Sequence, residues 1–439
     1  MKATTHKMAL VGLMVISVAL TGYAETLTVT AELDKPVLLA DTPQTIHLRI
    51  GLTGCALEAL TERPPVNVAL VIDKSGSMRG ERIRQAREAA IMALRRLDEN
   101  DIVSVVVFDS DVRVLVPATK MTCREDIIRQ IRGIAAGGTT ALYAGVQAGA
   151  QEVQKFYSAN RVNRVILLSD GHANVGPRTP QELGHLGARL SEKGLSVSTI
   201  GLGLSYNEDL MSILAYKSDG AHYFSESPAE LASVFEREFE RTLSVVAQEI
   251  RIKIVLPKGV RPVRLLGRQG QIDKQTVEIN MGSAYSEHET YVLLEAEVDS
   301  VQPGGTSIPL ADVSVQYRDM KSAQLRAENR YVKASLTTDE QTVDKHLNHR
   351  VMADVVEQIA IERNEQATAL RDAGNVEKAQ QVLQENSLFL RSNAVRLKSA
   401  ALEQYAEENA AAADRLDGAD WNRTRKAMRE SQTSRRTQQ

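Results

Sequence analysis

Cysteine is scarce in this sequence of 439 residues: Cys55 and Cys123 are the two present. They lie far apart and fit no metal-ligand spacing, so stability must come mainly from hydrophobic cores. A charge of one dominant sign is missing as well. Lys and Arg number 53 against 56 Asp and Glu, which gives no electrostatic case for nucleic acid. Long apolar runs are absent after the first 24 residues. The longest later ones, such as Ile102 to Phe108 and Val165 to Leu168, are strand-sized and far below the roughly 20 residues of a bilayer span, so no pore lining is expected. Catalytic signatures are also lacking. His288-Glu289 begins like a zinc-protease helix, but Val292 stands where the second His belongs. Gly201-Leu202-Gly203 lacks the third glycine of a dinucleotide loop, His346 and His349 are helically spaced but such histidines are more commonly exposed or core residues than a two-His site, and no general base presents itself. The expectation is a protein that is not an enzyme, with metal-dependent hydrolysis as the lesser alternative.

The apolar stretch that does exist, Met8 to Leu20, follows Lys2 and Lys7 and precedes Thr21-Gly22-Tyr23-Ala24. Residues 1–24 therefore read as a cleavable secretory signal, and the mature protein is expected to be exported, periplasmic or secreted. Export permits a disulfide between Cys55 and Cys123; two free thiols remain equally open. A length of this order predicts two or three domains.

Residues 66–244 alternate strand-like apolar runs with amphipathic helical segments, the pattern of a doubly wound, mostly parallel sheet. Strands are predicted at 66–72, 102–108, 112–116, 164–169, 196–202 and 221–225. The second and third are separated only by Asp109-Ser110-Asp111, too short for a crossover, so one edge strand is antiparallel. Residues 25–65 and 245–337 alternate in strand fashion. Because two strands alone are rarely stable in water, the first group is expected to join the second in one β-sandwich with the α/β unit inserted. Residues 338–420 carry helical periodicity and a helical hairpin turning at Asp372 to Asn375. Residues 421–439, rich in arginine, read as a basic disordered tail.

Three strand ends bear oxygen ligands. The first is Asp73-Lys74-Ser75-Gly76-Ser77-Met78 after the apolar run Val68 to Ile72; the second is Gly137-Gly138-Thr139-Thr140; the third is Ser169-Asp170-Gly171 after Leu167-Leu168. In open α/β sheets ligands bind at the carboxyl ends of strands. Any one match could be a turn or helix cap, but three in this order are less easily accidental. The spacing resembles the metal-ion-dependent adhesion site of von Willebrand factor type A domains. The flanks, including Arg63-Pro64-Pro65-Val66-Asn67 and Asp170-Gly171-His172-Ala173-Asn174, resemble exported bacterial proteins labelled calcium-activated chloride channel homologues. The resemblance implies Asp73, Ser75, Ser77, Thr139 and Asp170 as metal ligands, with Thr140 a neighbouring hydroxyl. It also implies Mg2+ as the ion, since magnesium favours six oxygens and keeps waters readily, with Mn2+ or Ca2+ as substitutes. The implied partner is a protein offering an Asp or Glu carboxylate, and the implied function is adhesion or scaffolding. Two alternatives stand beside it: a structural or regulatory envelope protein whose metal only stabilises the fold, and a signalling role in which the helix from Glu230 to Ser244 passes ligand binding to the sandwich.

Overall fold

The computed structural model describes residues 26–57, 63–302, 307–416 and 420–438; the predicted signal segment lies outside them. The chain opens with β1 (Leu27–Leu33), β2 (Val37–Leu39) and β3 (Gln44–Gly54). The α/β unit follows as β4 (Val66–Asp73), α1 (Glu81–Arg95), β5 (Ile102–Phe108), β6 (Val112–Lys120), α2 (Arg124–Arg132), α3 (Leu142–Lys155) and β7 (Val162–Ser169). It continues through α4 (Pro180–Glu192), β8 (Ser196–Leu202), α5 (Glu208–Lys217), β9 (His222–Ser225) and α6 (Leu231–Leu243). Its sheet order is β6-β5-β4-β7-β8-β9. All neighbours are parallel except β5 and β6, which form the antiparallel hairpin expected from their three-residue connection.

Every residue of β4, β5 and β7 is buried, because helices cover both faces of the sheet. Strands in that setting carry continuous rather than alternating apolar residues, and each fully buried Val, Ile or Leu contributes roughly 1.5–3 kcal/mol. Helix α3 lies close on the sheet through Gly145 and Gly149. A Cβ at Gly149 would stand 2.4 Å from Val71 Cγ2, and one at Gly145 2.7 Å from the Phe108 ring. This close seat fixes the height of the loop that enters α3.

The remaining strands are β10 (Val245–Val255), β11 (Val260–Leu266), β12 (Gln271–Asp273), β13 (Thr276–Tyr285), β14 (Glu289–Val298), β15 (Ser307–Asp319) and β16 (Leu325–Thr337). They form two sheets, β1-β3-β14-β11 and β12-β13-β10-β15-β16-β2, facing each other across one apolar core that includes Leu48, Ile50, Ile252, Ile254, Leu294 and Val313. In β10, Ile250, Ile252 and Ile254 are buried while Arg251 and Lys253 are exposed, the alternation of a sheet with one wet face. The first strands thus complete a sandwich whose other strands lie nearly 200 residues later, and the α/β unit is inserted between them. Cys55 and Cys123 are free thiols.

Among the described residues five helices follow: α7 (Glu340–Lys345), α8 (His349–Asp372), α9 (Val376–Leu397), α10 (Ala400–Ala413) and α11 (Trp421–Thr437). Helices α8 and α9 form a hairpin whose turn holds Gly374 at φ 83°, a conformation glycine adopts without strain. The expectation of a disordered basic tail is corrected by α11. This helix buries Thr424, Lys426, Met428 and Gln432, and its cations meet acids of other elements. Arg425 pairs with Glu208, Asp209 and Asp372, Lys426 with Glu208, Arg429 with Asp209, and Arg435 with Glu357 and Glu408. Composition alone made the segment look solvated. Its partners lie up to 220 residues earlier in the chain.

Candidate functional site

The carboxyl ends of β4 and β7 sit side by side at the centre of the sheet, and the loops after them are joined to the loop before α3 by backbone hydrogen bonds. Gly76 N–H donates to Gly138 C=O at 3.0 Å, Gly137 N–H to Lys74 C=O at 2.7 Å, and Asn174 N–H to Thr140 C=O at 3.1 Å. The Asn174 carboxamide oxygen accepts from Thr140 N–H at 2.8 Å. Gly138, at φ 78°, supplies the left-handed turn that lets the second loop approach the first.

Four of the five predicted ligands meet there. Asp73 Oδ1 accepts from Ser75 N–H at 2.7 Å, Ser75 Oγ lies 3.0 Å from Ser77 Oγ, and Ser77 Oγ donates to Asp170 Oδ1 at 2.7 Å. Asp73 and Asp170 are both fully buried and Ser75 nearly so, whereas Ser77 is exposed and marks the open side. Burial pushes the Asp73 carboxyl up to about 6, against the hydrogen bonds from Ser169 and Ser75 and with help from the charge of Asp170. Asp73 thus sits beside a second buried carboxylate with hydrogen bonds but no cation of its own.

Thr139 is not among the converging groups. Its side chain is exposed and its Oγ1 donates to Ser110 Oγ at 3.0 Å, with Thr139 N–H on the same oxygen at 3.1 Å. Thr140 takes the inward place. It is 3% exposed, and both its Oγ1 and Asp73 Oδ2 border the point where a Cβ on Gly171 would stand, at 3.0 and 3.5 Å. Glycine at 171 thus keeps a cradle open between a hydroxyl and a carboxylate. Thr140, not Thr139, thus lies beside the two carboxylates, while Thr139 is held by Ser110.

Two further residues complete the site, neither of them among the five ligands that the resemblance implies. Ser169 Oγ donates to Asp73 Oδ2 at 2.5 Å; a serine directly after the apolar run Val165 to Leu168 was the available signal. Arg82, in the first turn of α1, donates from one Nη to Asp170 Oδ2 at 2.6 Å and to Ser77 C=O at 3.2 Å, while remaining 32% exposed. Beside them Lys74 pairs with Asp109. His172 is exposed, and His288 is engaged by the backbone carbonyl of Gln438.

The donor set is two carboxylates and several hydroxyls, all hard oxygens, which fits a small divalent cation that retains waters. Among the described residues no group of three or more His, Cys, Asp or Glu is placed to hold a metal, so any cation at this centre would depend on the hydroxyls.

Residues 67–237 match one family model, that of the von Willebrand factor type A domain. The chain carries a von Willebrand factor type A domain. A solved structure described as von Willebrand factor type A from Catenulispora acidiphila aligns with a TM-score of 0.73 at 16% identity, covering 93% of this chain and 96% of the other. The likeness therefore extends over the sandwich and helices as a fold. An uncharacterized Synechocystis protein is 29% identical over 292 residues, 63% of this chain and 67% of its own. A calcium-activated chloride channel regulator 1 from Bos taurus is 25% identical over 266 residues, 59% of this chain but 28% of its own length. Type A domains generally mediate protein interactions or adhesion. Among the described residues no helix is long and apolar enough to cross a membrane.

Proposed function

We propose that this protein is an exported binding protein whose type A domain captures a protein partner through a divalent cation, Mg2+ in the first instance, held by Asp73, Ser75, Ser77, Thr140 and Asp170. The observation that carries this reading is the pair of fully buried carboxylates, Asp73 and Asp170, linked through serine hydroxyls, with the exposed Ser77 on the open side. When bound, the cation would supply an electrophilic centre on which an Asp or Glu carboxylate of a partner can replace a water. The chain's own contribution is positional. Ser169 and Ser75 N–H orient Asp73, Ser77 orients Asp170, and the loop stitching between Gly76 and Gly138 holds the hydroxyls in place before any ligand arrives.

Affinity capture from the producing cell's envelope, run in parallel with Mg2+ and with a chelator, tests the proposal. Partners are expected to be retained only with Mg2+ and to be lost with Asp73→Ala or Asp170→Ala, while the circular dichroism of both variants stays that of the parent. Capture that persists in chelator, or equally in those variants, overturns it. A melting temperature that responds to Mg2+ without any metal-dependent capture would assign the cation a stabilising role alone.

A further inference from the structure

Helix α11 is seated by charge rather than by apolar burial. Of its buried side chains, Thr424, Lys426, Met428, Gln432, Thr433 and Thr437, one is apolar; Met428 and the half-buried Trp421 are what it gives to a hydrophobic core. The shorter α6, by contrast, buries Leu231, Val234, Phe235 and Phe239. The face of α11 carrying Thr424, Ala427, Met428, Ser431 and Ser434 borders a cavity of about 1220 Å³ that β9, α6 and α10 also line. A docked helix ordinarily buries an apolar stripe on such a face, and α11 offers mainly hydroxyls instead.

Its polar seat has two clusters. Arg425, Lys426 and Arg429 meet Glu208 and Asp209 of α5 and Asp372 of α8. Arg435 and Arg436, about three turns further along the same side of the helix, meet Glu357 and Glu365 of α8 and Glu408 of α10. Tyrosines back both clusters. Lys426 Nζ lies 4.3 Å from the centre of the Tyr206 ring, and the guanidinium groups of Arg435 and Arg436 lie 4.2 and 5.3 Å from those of Tyr405 and Tyr216. The last turn is held by hydrogen bonds, from Arg268 Nη2 to Thr437 C=O at 2.9 Å and from Tyr291 N–H to Gln438 Oε1 at 3.2 Å.

Contacts of this kind yield to salt. Lys426 and Glu208 are enclosed, and the desolvation of such a pair offsets much of its attraction. Asp209, Asp372, Glu365 and Glu408 are 31% to 40% exposed, so counterions screen their pairs, and hydrogen bonds freed on opening are remade with water. Segments with few buried apolar contacts are the first parts of a fold to open, whereas β4, β5 and β7, buried along their whole length, are held by apolar burial. Lifting α11 leaves a groove of six carboxylates and three tyrosines spaced for its own cations. The same helix from another copy meets that groove with identical contacts, so an exchange between copies sacrifices none of them.

We propose that α11 is a latch that opens as a unit while the type A domain and the sandwich stay folded, and that the groove beneath it accepts α11 of a second copy of this chain. Hydrogen exchange of the full chain tests the opening. Residues 421–437 are expected to exchange at least about tenfold faster in about 500 mM than in about 50 mM NaCl, with residues 66–73 unchanged. Exchange of 421–437 that ignores salt, or that is as slow as that of 66–73, overturns the latch. Charge reversal tests the occupant. The full-length double variant Arg425→Glu, Arg429→Glu and the variant Asp209→Arg are each expected to be monomeric by light scattering. An equimolar mixture at about 50 µM in about 50 mM NaCl is expected to double in mass, because α11 of the second then meets the acidic groove of the first. A mixture that stays monomeric overturns the exchange. The parent keeps this test open should a variant fail to fold: concentrated to about 500 µM in about 500 mM NaCl and returned to about 50 mM, it is expected to hold at least about fivefold more dimer than before, and no gain overturns the exchange equally. All of these measurements are made in chelator, so they stand or fall separately from the cation proposal.

Discussion

The type A domain presents two acidic pairs, and they are treated in opposite ways. Asp73 and Asp170 lie at the carboxyl end of the sheet with one arginine, Arg82, reaching Asp170 from a position that is 32% exposed. Glu208 and Asp209, at the start of α5, receive Arg425, Lys426 and Arg429 from α11. Burial pushes Glu208 and Asp209 up, but the hydrogen bonds and charges of those cations outweigh it and hold both below the ordinary carboxylate range. Asp73, with no cation of its own, is driven up instead. The pair with a complete set of internal cations is a structural clamp. The pair without one is the place where an external cation has something to neutralise.

Removing a cation from the clamp should therefore be the largest perturbation. Lys426 is 3% exposed and donates to Tyr206 C=O at 2.9 Å as well as pairing with Glu208. Lys426→Met is expected to destabilise the seat of α11 by about 2–3 kcal/mol, below the full 3–5 of a broken buried pair because Arg425 still reaches Glu208. Hydrogen exchange of residues 421–437 is the measurement; protection equal to the parent would show that the clamp is not what holds α11. The pH response has a definite sign. Carboxylates whose folded values are depressed give stability that is present above their unfolded values near 4 and lost as pH falls through the folded ones. Protection of α11 should accordingly be full at pH 7 and decline below about pH 4.

The two pairs also differ in how far the sequence revealed them. Asp73 and Asp170 follow long apolar runs, and β4, β5 and β7 are buried along their whole length because both faces of the sheet are covered; local residues thus announced the sheet and the place where the two carboxylates meet. The partnership of β1 and β3 with β14 and β11 followed from the instability of isolated strands. Helix α11 was illegible for the opposite reason. Its polar, arginine-rich composition is that of a solvated tail, and the acids that order it, Glu208, Asp209, Asp372 and Glu408, are distributed over some 200 residues of other elements. The threonines fall between these cases. Two adjacent hydroxyls are equivalent as letters, and only the backbone turn at Gly138 sends Thr139 to Ser110 and Thr140 inward. That distinction can be measured: Thr140→Val is expected to weaken Mg2+ or Mn2+ binding about tenfold, and Thr139→Val by less than about twofold, in calorimetric titration. The reverse order would return the site to Thr139.

The smallest effect concerns Arg82, and it tests the contrast directly. If the carboxylates at the sheet end are short of positive charge, Arg82 is a partial substitute for the cation and competes with it for Asp170 Oδ2. The contact is partly exposed, and such pairs contribute about 0.2–1 kcal/mol. Arg82→Gln should then lower the melting temperature of the chelator-treated protein slightly while tightening Mg2+ binding about two- to fivefold, because the metal-free state loses its counter-charge and the metal-bound state does not need it. A variant that binds Mg2+ more weakly would mean that Arg82 braces Asp170 for the ion rather than standing in its place, and the two acidic pairs would then differ in accessibility rather than in charge.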